Sequence, residues 1–386
     1  MNLAKAQSER WVPFVVVGLI VATAIVQAAV GFNTVLFPVR LEDYGFSKSL
    51  IGICLSFEVA SVLVIVGSIN GIIFRLGLVG TVMLATGGRL LMLLILSQTH
   101  SFPLWCISIF VFGLSTYLIL IALQTWINGV PLQRYRGLVI GCFSSALSLG
   151  TASGPIVLNM VGVGGGARPF QASMGIVAIS FLVVLPLLRF APVISTQPRL
   201  RLRYVIRMAT VPMMSALVGG VTFFGLPAFL TLYGMMNGLS VERAALLLTA
   251  FMVGSVTLGL VISTLSDHVN RTLLTVSCVL VGVVCAVYLP LGIYNYPIAL
   301  GLLYVWGGAA GGIYATGLAT VGHLFRQEDQ VSANVAYSIM DNLGGVIAGI
   351  LIGFLMGAGI ADGIVYVTVL TALAYFIYCL SQLQPE

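Results

Sequence analysis

Long apolar stretches, broken only at intervals by charged or turn-forming residues, are the feature that most constrains the fold of this chain. Only 17 basic and 11 acidic residues occur among its 386 residues, or 7%, whereas about 25% of the residues of a soluble protein are charged. Too few charges are present to cover a surface that faces water. A soluble enzyme, a nucleic-acid-binding protein and a disordered protein are therefore excluded, and an integral membrane protein that crosses the bilayer many times remains.

Twelve of these stretches are long enough for a membrane-spanning helix, which needs about 20 mainly apolar residues. We therefore predict an all-α membrane protein with twelve transmembrane helices. Their predicted limits are residues 11–38, 49–73, 79–97, 103–126, 137–161, 169–190, 209–233, 242–265, 272–290, 297–322, 331–356 and 363–381. None of the stretches alternates apolar with polar residues, as the strands of a membrane barrel would.

Basic residues between the stretches predict the orientation, because Lys and Arg are enriched in the cytoplasmic loops of membrane proteins. Twelve of them fall in one set of loops and termini: Lys5, Arg10, Arg75, Arg134, Arg136, Arg189, Arg199, Arg201, Arg203, Arg207, Arg271 and Arg326. The other set contains four: Arg40, Lys48, Arg168 and Arg243. We therefore expect a multi-pass protein of a cell membrane, the bacterial inner membrane, with both termini in the cytoplasm.

The longest connector between the stretches divides the chain into two parts. We predict an N-terminal half of six helices over residues 1–190, a cytoplasmic linker over 191–208 and a C-terminal half of six helices over 209–386. Four arginines lie between Arg199 and Arg207. We expect them to anchor the linker to anionic head groups, and a regulatory or partner-binding role is the alternative.

The two predicted halves are similar to each other at an offset of 195 residues. Four glycines of the first half recur at this offset, in the pairs Gly113 and Gly308, Gly150 and Gly345, Gly154 and Gly349, and Gly162 and Gly357. Glycines at such spacings allow helices to approach closely. Duplicated halves of this kind place a substrate site at their interface, near the middle of the membrane.

Neither a metal site nor a nucleotide site is indicated by the sequence. The cysteines all lie inside apolar stretches, where we expect them to be buried: Cys54, Cys106, Cys142, Cys278, Cys285 and Cys379. No Cys or His residues have the spacing of metal ligands, and no Walker loop is present. We therefore expect no metal, no other cofactor and an energy source other than ATP.

Two short segments between stretches carry a weak form of a known motif. Residues 263–271 read STLSDHVNR, and residues 71–77, at the equivalent place in the first half, read GIIFRLG and lack the acid. Both resemble the G-x-x-x-D-R-x-G-R loop of the major facilitator superfamily, and the resemblance extends over essentially the whole chain. It implies a fold of two pseudo-symmetric six-helix halves and a gating role for Asp267, Arg271 and Arg75.

A second resemblance lies in the fifth stretch, which contains Gly150-Thr-Ala-Ser-Gly154-Pro155. This segment is similar to the g-x-x-x-G-P signature of the proton-coupled drug antiporters of the same superfamily, which implies a gating role for Gly150, Gly154 and Pro155. An ordinary helix that is kinked at Pro155 is the alternative. Residues 38–52 also resemble the first outer loop of the family.

Three ionisable residues lie near the centres of predicted helices: Glu58 in the second, Arg89 in the third and Asp341 in the eleventh. At ~1.5 Å per residue each is near the middle of the membrane, where a charge is costly and usually functional. We predict that Asp341 and Glu58 bind and release the coupled proton, because loss of water favours the neutral acid. Arg89 belongs to the same proton-coupling group, and the alternative is that it pairs with Glu58 and keeps that acid ionised.

By resemblance to the family, the first, fourth, seventh and tenth helices line the substrate cavity. Polar and aromatic residues on these helices form the predicted substrate site: Gln27, Asn33, Tyr117, Gln124, Trp126, Phe223, Phe224, Tyr233, Trp306 and Tyr314. Aromatic walls with few charges favour an amphipathic or apolar solute. An anchor at the membrane surface is the alternative role for Trp126.

These features predict a secondary transporter, not an enzyme, that exports a small amphipathic molecule in exchange for protons by alternating access. A proton-linked importer of a small nutrient or metabolite on the same fold is the alternative. A scaffold or sensor without transport activity is a third possibility. We expect a monomer whose partners are the small molecule, protons and the lipid bilayer, with no nucleic acid.

Single cysteines introduced near Arg203 and near Arg168, in a chain without the native cysteines, test the predicted orientation. The first position belongs to the basic set and the second to the opposite set. A membrane-impermeant maleimide should therefore label the first only from the cytoplasmic side and the second only from outside. Labelling of both positions from one side would show that the number of spans is wrong.

Overall fold

The computed structural model describes residues 3–66, 68–129, 136–164, 166–191, 202–266, 268–325 and 330–381. Regular secondary structure in these ranges is entirely helical, which confirms the predicted all-α class. The α-helices are α1 (Leu3–Asp43), α2 (Lys48–Ile65), α3 (Ile69–Gln98), α4 (Phe102–Gly129), α5 (Arg136–Val161), α6 (Arg168–Val184), α7 (Leu202–Met208), α8 (Thr210–Gly220), α9 (Leu226–Met236), α10 (Val241–Leu265), α11 (Arg271–Gly292), α12 (Tyr296–Leu324), α13 (Gln330–Gly357) and α14 (Gly363–Ser381). A 3₁₀ turn, Leu185–Phe190, follows α6, and a π-helical turn, Val221–Gly225, joins α8 to α9.

Many of these helices are long and apolar enough to cross a membrane. Within the described ranges there are ten such segments: Pro13–Asp43, Lys48–Ile65, Gly71–Gln98, Phe102–Ile127, Arg168–Phe190, Thr210–Met236, Val241–Leu265, Arg271–Gly292, Tyr296–Val321 and Ser332–Gly357. Gly363–Cys379 is also apolar but shorter. The chain is therefore a multi-pass membrane protein, and the total of twelve spans stays a prediction.

The helix limits differ most from the predicted ones at the ends of the first two spans. α1 continues to Asp43, so residues 38–43, predicted as part of an outer loop, form its last turns. α2 ends at Ile65 rather than at residue 73. The predicted limit was too late because residues 69–76, which belong to α3, are also mostly apolar and continue the hydropathy signal. Gly77 then interrupts α3 with a φ of 67°, a left-handed angle that favours glycine.

The predicted seventh helix is divided by a change of helix type. α8 ends at Gly220, the backbone widens through the π-helical turn Val221–Gly225, and α9 begins at Leu226. Pro227 lies at the start of α9 and has no N–H to continue the α-helical hydrogen bonds, which is one physical reason for the interruption. Apolar composition alone does not reveal such a turn.

The chain forms two compact units. The first contains described residues from 1–33 and 67–197, and the second contains those from 34–66 and 198–386. α2 thus belongs to the same unit as the C-terminal helices. The predicted division into two halves at 191–208 stays a prediction, and residues 192–201 of that linker lie outside the described ranges.

In the first unit, α1 and α5 touch through glycine. A Cβ atom on Gly154 would meet the backbone nitrogen of Phe32, and one on Gly150 would meet the carbonyl oxygen of Ala24. α5 continues through Pro155 as one helix. The segment predicted to gate transport therefore holds two helices at backbone contact, as small residues do in membranes.

In the second unit, α13 packs on α2 and α8 in the same way. Gly353 of α13 approaches Gly52 of α2, and Gly349 faces the side chain of Ser56. On the α8 side, a Cβ atom on Gly220 would overlap with the carbonyl group of an α13 residue in the middle of that helix. α13 is therefore held between two helices without room for larger side chains at these points.

Four of the cysteines are buried, as expected: Cys54, Cys106, Cys278 and Cys285. The expectation is wrong for Cys142 of α5, which is exposed. An apolar stretch shows that a residue lies in the membrane, but both lipid and protein are apolar surroundings, so the stretch does not show which of the two the residue faces.

Replacing Gly154 with alanine should lower the melting temperature of the detergent-purified protein, because its Cβ atom would overlap with the backbone of α1. Gly175 of α6 is the matched control, since no described atom beyond its chain neighbours and the backbone of its own helix lies within 4 Å of its Cβ position. Alanine at Gly175 should leave the melting temperature unchanged or raise it, because alanine favours a helix by about 1 kcal/mol over glycine. Equal melting temperatures for the two variants would contradict the contact.

Candidate functional site

Asp341 lies inside the second unit, near the middle of α13, and is only 4% exposed. Gly220 of α8 brings the two helix backbones together here, since its Cβ position overlaps with the Asp341 carbonyl group. The Cβ position of Gly219 lies 3.5 Å from Asp341 Oδ1 and 3.4 Å from Ile313 Cγ2 of α12. The carboxyl group is therefore enclosed by α8, α12 and α13.

The enclosed carboxyl group has few polar neighbours. Its Oδ1 atom has no hydrogen-bond partner among the described residues, and no ion pair within those ranges includes Asp341. Asn342, the next residue, instead donates from Nδ2 to the Ser338 carbonyl at 2.7 Å. Tyr337, one turn earlier, is also buried, and its hydroxyl donates to the Ile313 carbonyl at 3.4 Å.

Glu58 and Arg89, the other two ionisable residues at depth, lie in different units. Glu58 is half-buried in α2, and its backbone carbonyl accepts from Ser61 Oγ at 2.6 Å. Arg89 of α3 is fully buried, with its guanidinium carbon 4.9 Å from the ring centre of Phe112 in α4. The ring stabilises a cation above its face, and the predicted pairing of Glu58 with Arg89 stays a prediction.

Three predicted aromatic substrate residues of the second unit differ in burial. Trp306 and Tyr233 are fully buried, and the Tyr233 hydroxyl donates to Asp362 Oδ1 at 3.2 Å. Tyr314 is 41% exposed, and its ring meets that of Tyr337 edge-on, with the centres 5.7 Å apart. In this conformation only Tyr314 of the three presents much surface to a ligand.

Phe223 and Phe224 lie side by side in the π-helical turn and are half-buried. Their ring centres are 5.7 Å apart at an angle of 79°, which is the edge-to-face arrangement that aromatic pairs favour. Gly345 of α13 packs against Phe224, and Phe223 also meets Phe251 of α10. The turn therefore places two predicted substrate residues next to each other.

The predicted substrate residues on α1 are turned toward protein. Asn33 is fully buried, and its Oδ1 atom accepts from Ser173 Oγ of α6 at 3.0 Å. Gln27 is half-buried, and its Oε1 atom has no hydrogen-bond partner among the described residues. Asn33 thus takes part in helix packing within the first unit in this conformation.

The predicted substrate residues on α4 face three different environments. Trp126 is almost fully buried, which argues against an anchor at the membrane surface. Tyr117 is half-buried and Gln124 is exposed. The three side chains therefore differ in exposure, whereas residues on one cavity wall would be similarly exposed.

The gating residues of the predicted loop motif are only partly described. Asp267 lies outside the described residues. Arg271 donates from Nε to the Ser266 carbonyl at 3.2 Å and from Nη1 to the Ala319 carbonyl at 3.4 Å, so it joins the start of α11 to α12 and to the end of α10. Arg75 is exposed on the first segment of α3.

A charged cluster at the end of α1 was not predicted as a site. Arg40 is almost fully buried and lies 3.6 Å from Asp43, and Glu42 pairs with Lys48 of α2. Burial raises the pKa of the adjacent Tyr44 phenol, with the Arg40 charge opposing this shift and the Asp43 charge adding to it. The sequence feature that could have indicated this cluster is the presence of four charged residues within residues 40–48, in a chain that has few charged residues.

An open groove lies on the first unit, along α1, α5 and α6. Ser153 provides the one polar side chain among its lining residues, all of which are described. Gly150 is the one predicted site residue that lines it. Such a mostly apolar wall offers few groups that could orient a polar ligand.

Comparison with known proteins agrees with the helical architecture. The family model of the Major Facilitator Superfamily matches residues 19–348 and 213–386. An uncharacterized MFS-type transporter of Bacillus subtilis (strain 168), YfkF, is 23% identical over 268 residues, which are 67% of this chain and 67% of that protein.

Solved structures of transporters share the fold. The nucleoside transporter NupG is 15% identical, with a TM-score of 0.77 over 94% of this chain and 98% of that chain. A bacterial homolog of the human lysosomal transporter Spinster, inward-facing and unoccupied, is 13% identical, with a TM-score of 0.75 over 95% and 96% of the two chains. Because the family model also matches most of the sequence, the chain belongs to the major facilitator superfamily and is a secondary transporter of a small molecule rather than an enzyme.

Proposed function

We propose that this transporter exports a small amphipathic molecule in exchange for protons, and that Asp341 carries the proton. The observation that carries the proposal is the enclosed carboxyl group of Asp341. In the described part of the chain it has no cation beside it, and its Oδ1 atom has no hydrogen-bond donor. A carboxyl group without such partners is suited to gaining or losing a proton when the access of water to it changes.

Enclosure makes the charge of Asp341 depend on access to water. An ionised carboxylate between α8 and α13 would lose its hydration without gaining a partner, which costs several kcal/mol. The enclosed site therefore favours the neutral acid, and water that enters an opened site favours the ionised form. The proton is thus bound as the site closes and released as it opens.

Exchange requires that the substrate and the proton favour opposite states of the protein. If protonation of Asp341 weakens substrate binding, bound substrate must weaken proton binding at Asp341 by the same factor, because a coupling free energy is reciprocal. The proton gradient can then drive the substrate in the opposite direction. This linkage needs no second energy source.

The aromatic side chains support an amphipathic substrate. Phe223, Phe224 and Tyr314 are partly exposed aromatic rings within the second unit. Rings of this kind bind apolar surface without requiring a specific polar group. The fully buried Trp306 and Tyr233 do not belong to this surface in the described conformation.

Import is the alternative direction, and the nucleoside transporter NupG shows that the same fold serves nucleosides. Likeness at 15% identity shows the fold alone, so it does not assign that substrate here. The two directions differ in the sign of accumulation in liposomes that carry a pH gradient. A proton antiporter accumulates its substrate on the acidic side, a proton symporter on the alkaline side, and a scaffold or sensor on neither.

Asp341→Asn should abolish uphill transport and retain substrate binding, because asparagine has a similar shape but cannot take up a proton. Ligands are first selected by thermal shift from a panel of amphipathic cations, weak acids and nucleosides. Accumulation of each is then measured in proteoliposomes with a pH gradient. Calorimetric titration in two buffers of different ionisation enthalpy should show proton release on binding to the wild type and none for the variant.

Asp362→Asn is the matched control for this experiment. Asp362 lies in the same unit, between α13 and α14, but it has a partner in the Tyr233 hydroxyl. The same chemical change should therefore leave uphill transport and proton release in place. Wild-type uphill transport by Asp341→Asn would remove Asp341 from the mechanism.

Glu58→Gln tests whether the second acid carries a proton or neutralises Arg89. We expect weaker proton-driven transport with an unchanged melting temperature, since Arg89 also lies over the Phe112 ring. A lower melting temperature, restored when Arg89→Gln is added to the same chain, would instead establish an ion pair, because the single change leaves a buried charge behind. Transport and melting are measured on the same preparations.

A further inference from the structure

A small cavity lies inside the second unit, where α11, α12 and α14 meet the end of α8. Its volume is about 10 Å³, close to the roughly 10–15 Å³ that one water molecule needs. Its lining is mostly apolar, with polar side chains from Thr222, Trp306 and Thr368. Gly282 of α11 also lines it, and the Cβ position of that glycine lies 3.2 Å from Trp306 Nε1.

Two of these polar side chains have no hydrogen-bond partner in the described ranges. They are Trp306, through its Nε1–H group, and Thr368, through its hydroxyl. Trp306 is 0% exposed and Thr368 is 4% exposed, so neither reaches bulk water. The Thr222 hydroxyl differs, because it donates to the Val218 carbonyl at 3.0 Å and keeps its lone pairs for an incoming donor.

We propose that this cavity binds one water molecule, which bridges Trp306, Thr368 and Thr222. The water accepts from the Trp306 Nε1–H group and from the Thr368 hydroxyl, and it donates to Thr222 Oγ1. Three partners fall within the two to four that a buried water usually has. A cation does not suit the site, because an indole N–H can only donate and no charged side chain lines the cavity.

Such a water joins three separate elements of the unit. Trp306 belongs to α12, Thr368 to α14 and Thr222 to the π-helical turn. Thr222 directly precedes Phe223 and Phe224, so the bridge holds the turn that carries these two rings. The proposed water site does not depend on the proposed proton coupling at Asp341, and the two proposals are tested separately.

Thr368→Val tests the bridge, because valine has nearly the shape of threonine and lacks the hydroxyl. If the water is bound, valine removes one of its partners and leaves the Trp306 N–H group poorly satisfied, so the melting temperature should fall by about 2–4 °C. If no water is bound, the hydroxyl is an unsatisfied buried group, and its removal should raise the melting temperature. The two cases therefore differ in sign.

Thr371→Val is the matched control, since it makes the same change three residues later in α14. The Thr371 hydroxyl already donates to the Val367 carbonyl at 2.8 Å within the helix. Its loss should change the melting temperature less than the loss of the Thr368 hydroxyl. This control separates the effect of the cavity from any effect of valine on helix α14.

The indole N–H resonance of Trp306, in protein with isotopically labelled tryptophan, gives a direct readout. We expect a nuclear Overhauser cross-peak from a slowly exchanging water, and a shift of this resonance in Thr368→Val. Trp105 is the internal reference, because its Nε1 donates to the Thr99 carbonyl at 3.0 Å. A higher melting temperature for Thr368→Val, or no water cross-peak at Trp306, would overturn the proposal. The cross-peak is measured on the unaltered protein, so it decides even if the variant does not fold.

Discussion

Contact between helix backbones, made possible by glycine, is the interaction on which the rest of the structure depends. Lipid tails are as apolar as leucine, so burial of apolar surface gives helices in a membrane little reason to associate. Close packing of their surfaces brings the helices together instead. Examples are the contact of Gly154 with Phe32 in the first unit and that of Gly220 with Asp341 in the second. Once two backbones touch, the side chains beside the contact are enclosed, whether they are apolar or not.

Enclosure explains where the unusual polar groups of this protein lie. Asp341 Oδ1 is beside Gly219, and Trp306 Nε1 is beside Gly282. Glycines at or beside close helix contacts therefore accompany polar atoms that are removed from water and from the lipid head groups. A polar atom in that position needs a partner from within the membrane. The proton proposed at Asp341 and the water proposed at Trp306 are two different ways to meet the same requirement.

The sequence predicted best those features that depend on composition along the chain. The limits of the eighth predicted helix, 242–265, agree with Val241–Leu265 because polar residues stand at both ends. The position of Asp341 near the middle of a helix and the membership of the superfamily likewise follow from position and motif. The burial of Trp306 and Asn33 and the exposure of Cys142 did not follow. Lipid and protein interior are both apolar, so hydropathy does not show which of them a side chain faces.

The π-helical turn Val221–Gly225 sets the rotational phase of the helix that follows it. Such a turn takes up one residue more than an α-helical turn, so α9 is rotated by about 100° relative to an uninterrupted helix. A continuous α-helix of the same residues would therefore turn Tyr233 away from Asp362, with which it now shares a hydrogen bond. A change of helix type in this turn, without any substitution, is thus enough to present a different face of α9 on the same scaffold.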